Sequence, residues 1–105
     1  MKEEKEWDEE EGYEDGFDDE EWAEMQEMYV NHTSKELIKI QENIDNIEID
    51  SLRTFGHNIK GSGGMYGFGE VTNLGTEIEA SAKVNDRDKI KLLLEELSVF
   101  LKSKI

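Results

Sequence analysis

The sequence predicts an all-α protein, an antiparallel four-helix bundle with an additional N-terminal helix. Three observations carry that prediction. The 105 residues contain no proline, so no ring interrupts helical hydrogen bonding. Apolar residues recur at spacings of three and four, and strand-like alternation is nowhere sustained, which is the pattern of amphipathic helices. The breaks between the apolar stripes are short, which folds neighbouring helices back on one another.

Residues 1–17 are expected to be a disordered acidic tail, with too little apolar surface to offset the entropy of ordering. Trp7, Tyr13 and Phe17 stand among its acids and could dock on a partner; a solubilising tail is the simpler reading. The compact domain is expected over residues 18–105. A helix should start at Asp18 or Asp19, where acids favour a helix N-terminus through the macrodipole, with Trp22, Met25 and Tyr29 as its buried stripe. Thr33 followed by Glu36 has the form of a capping box. That predicts a second helix carrying Leu37, Ile40 and Ile44, with one long helix kinked near His32 as the alternative. A third helix is expected from Ile49 to Ser51 onward into a glycine cluster. Phe68, Val71, Leu74, Ile78 and Ala82 mark a fourth. Asn85-Asp86 forms a turn and cap before a fifth, marked by Ile90, Leu93, Leu94, Leu97, Phe100 and Leu101.

Charge narrows the function. The net charge is -15, and residues 1–21 hold 13 of the 27 acids with two lysines, a net of -11. No basic stripe exists to displace counterions from phosphates, which argues against nucleic acid and against an anionic membrane surface. With no cysteine, disulfides and thiolate metal sites are excluded. No apolar run approaches the roughly 20 residues of a transmembrane helix, and the opening Met-Lys-Glu-Glu-Lys-Glu-Trp lacks a signal-peptide core. A soluble cytoplasmic protein of one domain is expected.

The chemistry concentrates between Ser51 and Gly69. On a helix advancing ~100° per residue, Arg53, Lys60, Gly61 and Gly64 fall within ~60° of His57. Leu52, Phe55, Ile59 and Tyr66 fall within ~40° of the opposite direction, so His57 must point to solvent. Each interior glycine costs ~1 kcal/mol against alanine, so propensity alone does not place Gly56, Gly61, Gly63 and Gly64 here. Glycine at 61 and 64 leaves the ring open to another protein's surface, and Lys60 puts a positive charge within reach of an anion bonded to it. Neutral imidazole, with an ordinary pKa of about 6.5, is a good nucleophile near pH 7. Phosphoryl transfer needs chiefly in-line positioning and charge stabilisation. The glycine run is no nucleotide-binding loop, because Lys60 precedes it and no Gly-Lys-Ser/Thr follows. Two separated histidines form no chelating i, i+4 pair, and no EF-hand spacing is present.

His57-x-Ile-Lys60-Gly61-Ser62, followed by small residues and Gly67, resembles the His-x-Leu-Lys-Gly-Ser signature of histidine-phosphotransfer (HPt) domains. The resemblance runs from about Asp18 to the C-terminus, and its specific part is the central motif. It implies a bundle that shuttles phosphoryl groups between aspartates of response-regulator receiver domains, or accepts them from a histidine kinase. His57 would be the phosphoacceptor, Lys60 the residue that steadies the phosphoryl oxygens, and Gly61 the small residue admitting a partner. Arg53 and Gly64 would fall within the partner's footprint. Ile59 stands where leucine is commonest, Gly56 where alanine is usual and Gly63 where serine or alanine is typical; none removes a group the chemistry needs. The chain would be a monomeric phosphocarrier rather than a turnover enzyme, with no cofactor or metal of its own and Mg2+ on the partner receiver.

A rival reading is a binding module that uses the same fold to dock or sequester a signalling partner without chemistry. Keeping both His57 and Lys60 in register argues against it. The initial methionine and the lack of a kinase segment favour a free-standing protein over the detached phosphoacceptor domain of a kinase.

Overall fold

A computed structural model describes residues 18–104. Among them run four helices and no strand: α1 (Asp19–Glu42), α2 (Ile49–Met65), α3 (Gly69–Lys83) and α4 (Arg87–Lys102). The acidic tail expected over residues 1–17 lies outside the described residues.

The helix starts and stops follow local chemistry. Asp18 caps α1 in a full capping box: its carboxylate accepts from the Glu21 N–H at 2.8 Å, and Glu21 accepts from the Asp18 N–H. Asp86 caps α4 by accepting from the Lys89 N–H at 3.1 Å. Two helices end in Schellman turns. After α2, Gly67 takes φ +83°, and the N–H groups of Gly67 and Phe68 donate to the carbonyls of Gly64 and Gly63. After α3, Asn85 takes φ 58°, and Asn85 and Asp86 donate to Ala82 and Ser81. These turns make the 66–68 and 84–86 connections as short as a helical hairpin needs.

One expectation is corrected. The segments assigned to an additional N-terminal helix and to a helix starting at Thr33 form one continuous helix, α1, 24 residues long. The Thr33–Glu36 capping box does not form, because Thr33 is buried in the same stripe as Val30 and Leu37. No glycine or proline lies between Asp19 and Glu42, so nothing outweighs continued hydrogen bonding through His32.

The four helices share one core. Val30 and Leu37 of α1 meet Leu52, Phe55 and Ile59 of α2, Val71, Leu74, Ile78 and Ala82 of α3, and Ile90, Leu93, Leu94, Leu97 and Leu101 of α4. All are almost fully buried, Phe55 being the most exposed at 7 %, and each of the larger side chains contributes about 1.5–3 kcal/mol through burial. Packing is antiparallel along α2 and α3: Gly56 lies against Gly75 and Glu79, while Gly63 lies against Val71 and Thr72. The connection 43–48 is tied to the start of α4 by Arg87, whose Nη1 donates to the carbonyls of Ile44 and Ile47 at 2.7 and 2.8 Å. Among the described residues no helix is long and apolar enough to cross a membrane.

The first turns of α1 are held by an aromatic stack. Tyr66, at the end of α2, stacks on Tyr29 with centroids 4.5 Å apart and on Trp22 at 6.4 Å. Phe68 stacks against Tyr29 at 6.0 Å and meets Phe100 of α4 edge-on, also at 6.0 Å. Gln26 donates to the Tyr66 carbonyl at 2.8 Å, so the exposed end of α2 is satisfied by α1.

Candidate functional site

α2 is amphipathic, with Leu52, Phe55 and Ile59 buried on one side. That fixes the rotation of the helix and turns His57 outward, its side chain 64 % exposed. Lys60 sits one turn along, 38 % exposed. Gly61 is on the open face, where a Cβ would meet nothing within 4 Å. Gly64 is different, because a Cβ there would come 3.3 Å from Thr72 Oγ1. Arg53 lines a shallow hollow with Thr54, His57 and Glu79, and its guanidinium lies 3.8 Å from Asp50.

The glycines of α2 therefore divide into two kinds. Gly56 and Gly63 belong to the seam with α3, where added Cβ atoms would fall 2.8 Å from the backbone nitrogens of Glu79 and Thr72. Gly75 completes the seam from the α3 side, where a Cβ would lie 2.6 Å from the Lys60 nitrogen. This close approach brings the side chains of α3 up to the histidine face. Thr72 also donates to the Lys60 carbonyl at 2.9 Å, fixing the backbone beneath the lysine.

The residue that sequence reasoning missed is Glu79. Its carboxylate stands between the two expected site residues, with Oε2 3.2 Å from His57 Nδ1 and Oε1 2.8 Å from Lys60 Nζ. Its side chain is 13 % exposed. The Lys60 ammonium holds the Glu79 carboxyl below its ordinary pKa, desolvation opposes this, and the hydrogen bond with His57 lowers it further. An ionised carboxylate is acceptor-only. It selects the tautomer with the proton on Nδ1, which donates to Oε2. Nε2 then carries its lone pair outward. Glu79 had a signal in the sequence: with Gly75, Ile78 and Ala82 it falls on the inward stripe of α3, the one acid among small and apolar residues.

Ser62 of the motif is engaged elsewhere. Its Oγ and the Tyr29 hydroxyl are 2.8 Å apart, joining α2 to α1, and burial raises the Tyr29 pKa against that hydrogen bond. His32 lies on α1, 3.8 Å from Glu36, beside a hollow lined by Met25, Met28, Tyr29 and Tyr66. Met28 is largely exposed there, and Met65 is largely exposed at the end of α2. Among the described residues, no three His, Cys, Asp or Glu side chains gather as a metal site.

On this four-helix bundle an exposed imidazole is thus oriented by a carboxylate and flanked by a lysine. The model of the Hpt domain family matches residues 24–101, and the chain belongs to that family, whose domains carry out histidine phosphotransfer in two-component systems. No curated protein and no solved structure matches it.

Proposed function

We propose that the chain is a phosphorelay intermediate that takes up a phosphoryl group on Nε2 of His57 and passes it on. Its counterpart is an aspartate of a response-regulator receiver domain or a histidine kinase. The observation that carries this reading is the arrangement around Glu79, which occupies Nδ1 and leaves Nε2 free and exposed.

With an aspartyl phosphate as donor, the Nε2 lone pair attacks phosphorus in line with the carboxylate oxygen. The P–O bond breaks and its electron pair leaves with the aspartate. The phosphorylated ring is an imidazolium whose remaining proton stays on Nδ1 against Glu79, and the reverse reaction returns the group. Lys60 offsets charge on the phosphoryl oxygens, and Gly61 lets the partner's active site close on the ring. Arg53 and Gly64 lie within the partner's footprint. Met65, one turn beyond Gly61, and Met28 of α1 are exposed and offer adaptable apolar side chains for docking. We assign the divalent cation of this chemistry to the receiver, and place the exchange in the cytoplasm with this chain as a monomer.

The test is transfer from a panel of phosphorylated receiver domains to the native chain, to His57→Gln and to Lys60→Ala. Label on the native chain, none on His57→Gln, and transfer slowed about tenfold or more in Lys60→Ala is the expected result. A folded native chain that takes no label from any receiver or kinase would leave the binding-module reading in its place.

A further inference from the structure

We propose that the acidic N-terminal segment, residues 1–17, docks on its own bundle. Tyr13 and Trp7 enter the seam between α1 and α4, and the acids around them meet Lys104 and Lys102.

Three hollows follow one another along that seam. The first, of about 420 Å³, is lined by Ala23, Gln26, Glu27, Val30, Phe68 and Lys104. The second lies between Ser34, Leu37 and Ile38 of α1 and Ser98 and Lys102 of α4. The third lies between Gln41 and Ile44 on one side and Lys91, Leu94 and Glu95 on the other. Val30 and Leu37 form an apolar floor, 1 % and 2 % exposed, while Ile38 stands beside it at 54 %. Covering such a furrow removes apolar surface from water.

The position of the segment fits this furrow. It joins α1 at Asp18, the N-cap, and so enters at the end where the first hollow lies. With a rise of ~1.5 Å per residue, the first hollow sits ~8–18 Å from Asp18 along α1, and the second ~24–30 Å. Gly16 allows the chain to double back there without a steric penalty. Running extended at ~3.3 Å per residue from that reversal, Tyr13 reaches ~10 Å and Trp7 ~30 Å. Each aromatic thus comes level with one hollow.

Charge fits as well. Residues 1–17 hold nine acids and two lysines. Lys104, held over the Phe100 ring at 5.1 Å from its centroid, borders the first hollow, and Lys102 borders the second. Glu27 also lines the first, so the match there runs through Lys104 across the furrow. The third hollow offers no comparable match: Lys91 is already held by Asp45 at 2.8 Å, and Glu95 lines it. The docked segment therefore ends at the second. Tethering raises its effective concentration to the order of millimolar, so modest contacts suffice. The hollow at His57 is built from α2 and α3, so the docked segment covers the bundle without closing that face.

The chain has no cysteine, so a spin label on Glu9→Cys is unique in the full-length protein. Amide signals of Ser34, Ile38 and Ser98 should lose intensity to the label, and those of Thr54 and Thr76 on α2 and α3 should keep theirs. Reversing both exposed lysines, Lys102→Glu with Lys104→Glu, should restore the lost signals, and so should Trp7→Ser with Tyr13→Ser. Loss spread evenly over the bundle, no loss, or loss that survives both pairs of substitutions would overturn the proposal. Loss centred on Thr54 and His57 would overturn it in favour of a segment that covers the phosphotransfer face. The same selective loss with spin label and isotopes on separate molecules would hand the seam to a second copy. None of these outcomes bears on phosphotransfer at His57, which the receiver assay tests by itself.

Discussion

Gly56 and Gly61 lie on the same helix and do opposite things. Gly56 is buried in the seam with α3, where a single added carbon would strike backbone on the neighbouring helix. Gly61 is bare, with nothing near the position of its missing side chain. One glycine allows two helices to approach and delivers Glu79 to the histidine, and the other keeps the histidine face clear. Both carry the helix-propensity penalty of glycine, ~1 kcal/mol against alanine. At Gly56 that cost is offset by packing. At Gly61 nothing in the fold offsets it, as the proposed role of admitting a partner requires.

Substitutions can break this comparison. The largest effect is expected from Gly75→Val, which drives side-chain carbons into the Lys60 nitrogen and the Gly56 carbonyl; urea unfolding should show a loss of about 3 kcal/mol or more. A loss below about 1 kcal/mol would mean the seam yields easily and does not fix Glu79. Next, Gly61→Leu should retain or slightly raise the unfolding midpoint, through better helix propensity, while slowing phosphotransfer by crowding the ring. Normal transfer in that variant would remove the role given to the open face.

The pH dependence sharpens the same contrast. Because the folded-state pKa of Glu79 is lowered, its stabilising contribution is fully present above the ordinary glutamate value of about 4.3. It is lost as pH falls through the lowered folded value. Thermal midpoints of native protein and Glu79→Gln should therefore differ at neutral pH and converge in acid; a constant gap across that range would show the carboxylate is not held by Lys60 and His57. The smallest effect belongs to Gly64→Ala. Its Cβ would meet only the Thr72 hydroxyl, at 3.3 Å, and the midpoint should move little in either direction.

Much of this contrast could be read along the chain, because spacing within one helix is fixed by geometry. The positions of His57, Lys60 and Gly61 on one face, with Leu52, Phe55 and Ile59 behind them, follow from 3.6 residues per turn. The cap at Asp86, a local hydrogen bond, and the start of α1 near Asp18 were legible for a similar reason. The inward position of Glu79 on α3 is also local, but its meeting with His57 is not, since that depends on how closely two helices pack and on their register, which Gly56 and Gly75 set together. Thr33 misled in the other direction. Its capping signature is local, but burial beside Val30 and Leu37 decides its conformation.

The central claim is that Glu79 occupies Nδ1 and leaves Nε2 of His57 to carry the phosphoryl group. The most direct test is NMR of the phosphorylated, nitrogen-15-labelled protein, reading which ring nitrogen of His57 couples to phosphorus after transfer from a receiver. Coupling to Nε2, with Nδ1 bearing a proton, is the predicted result. Coupling to Nδ1, or a phosphoryl group on another residue, would contradict the account.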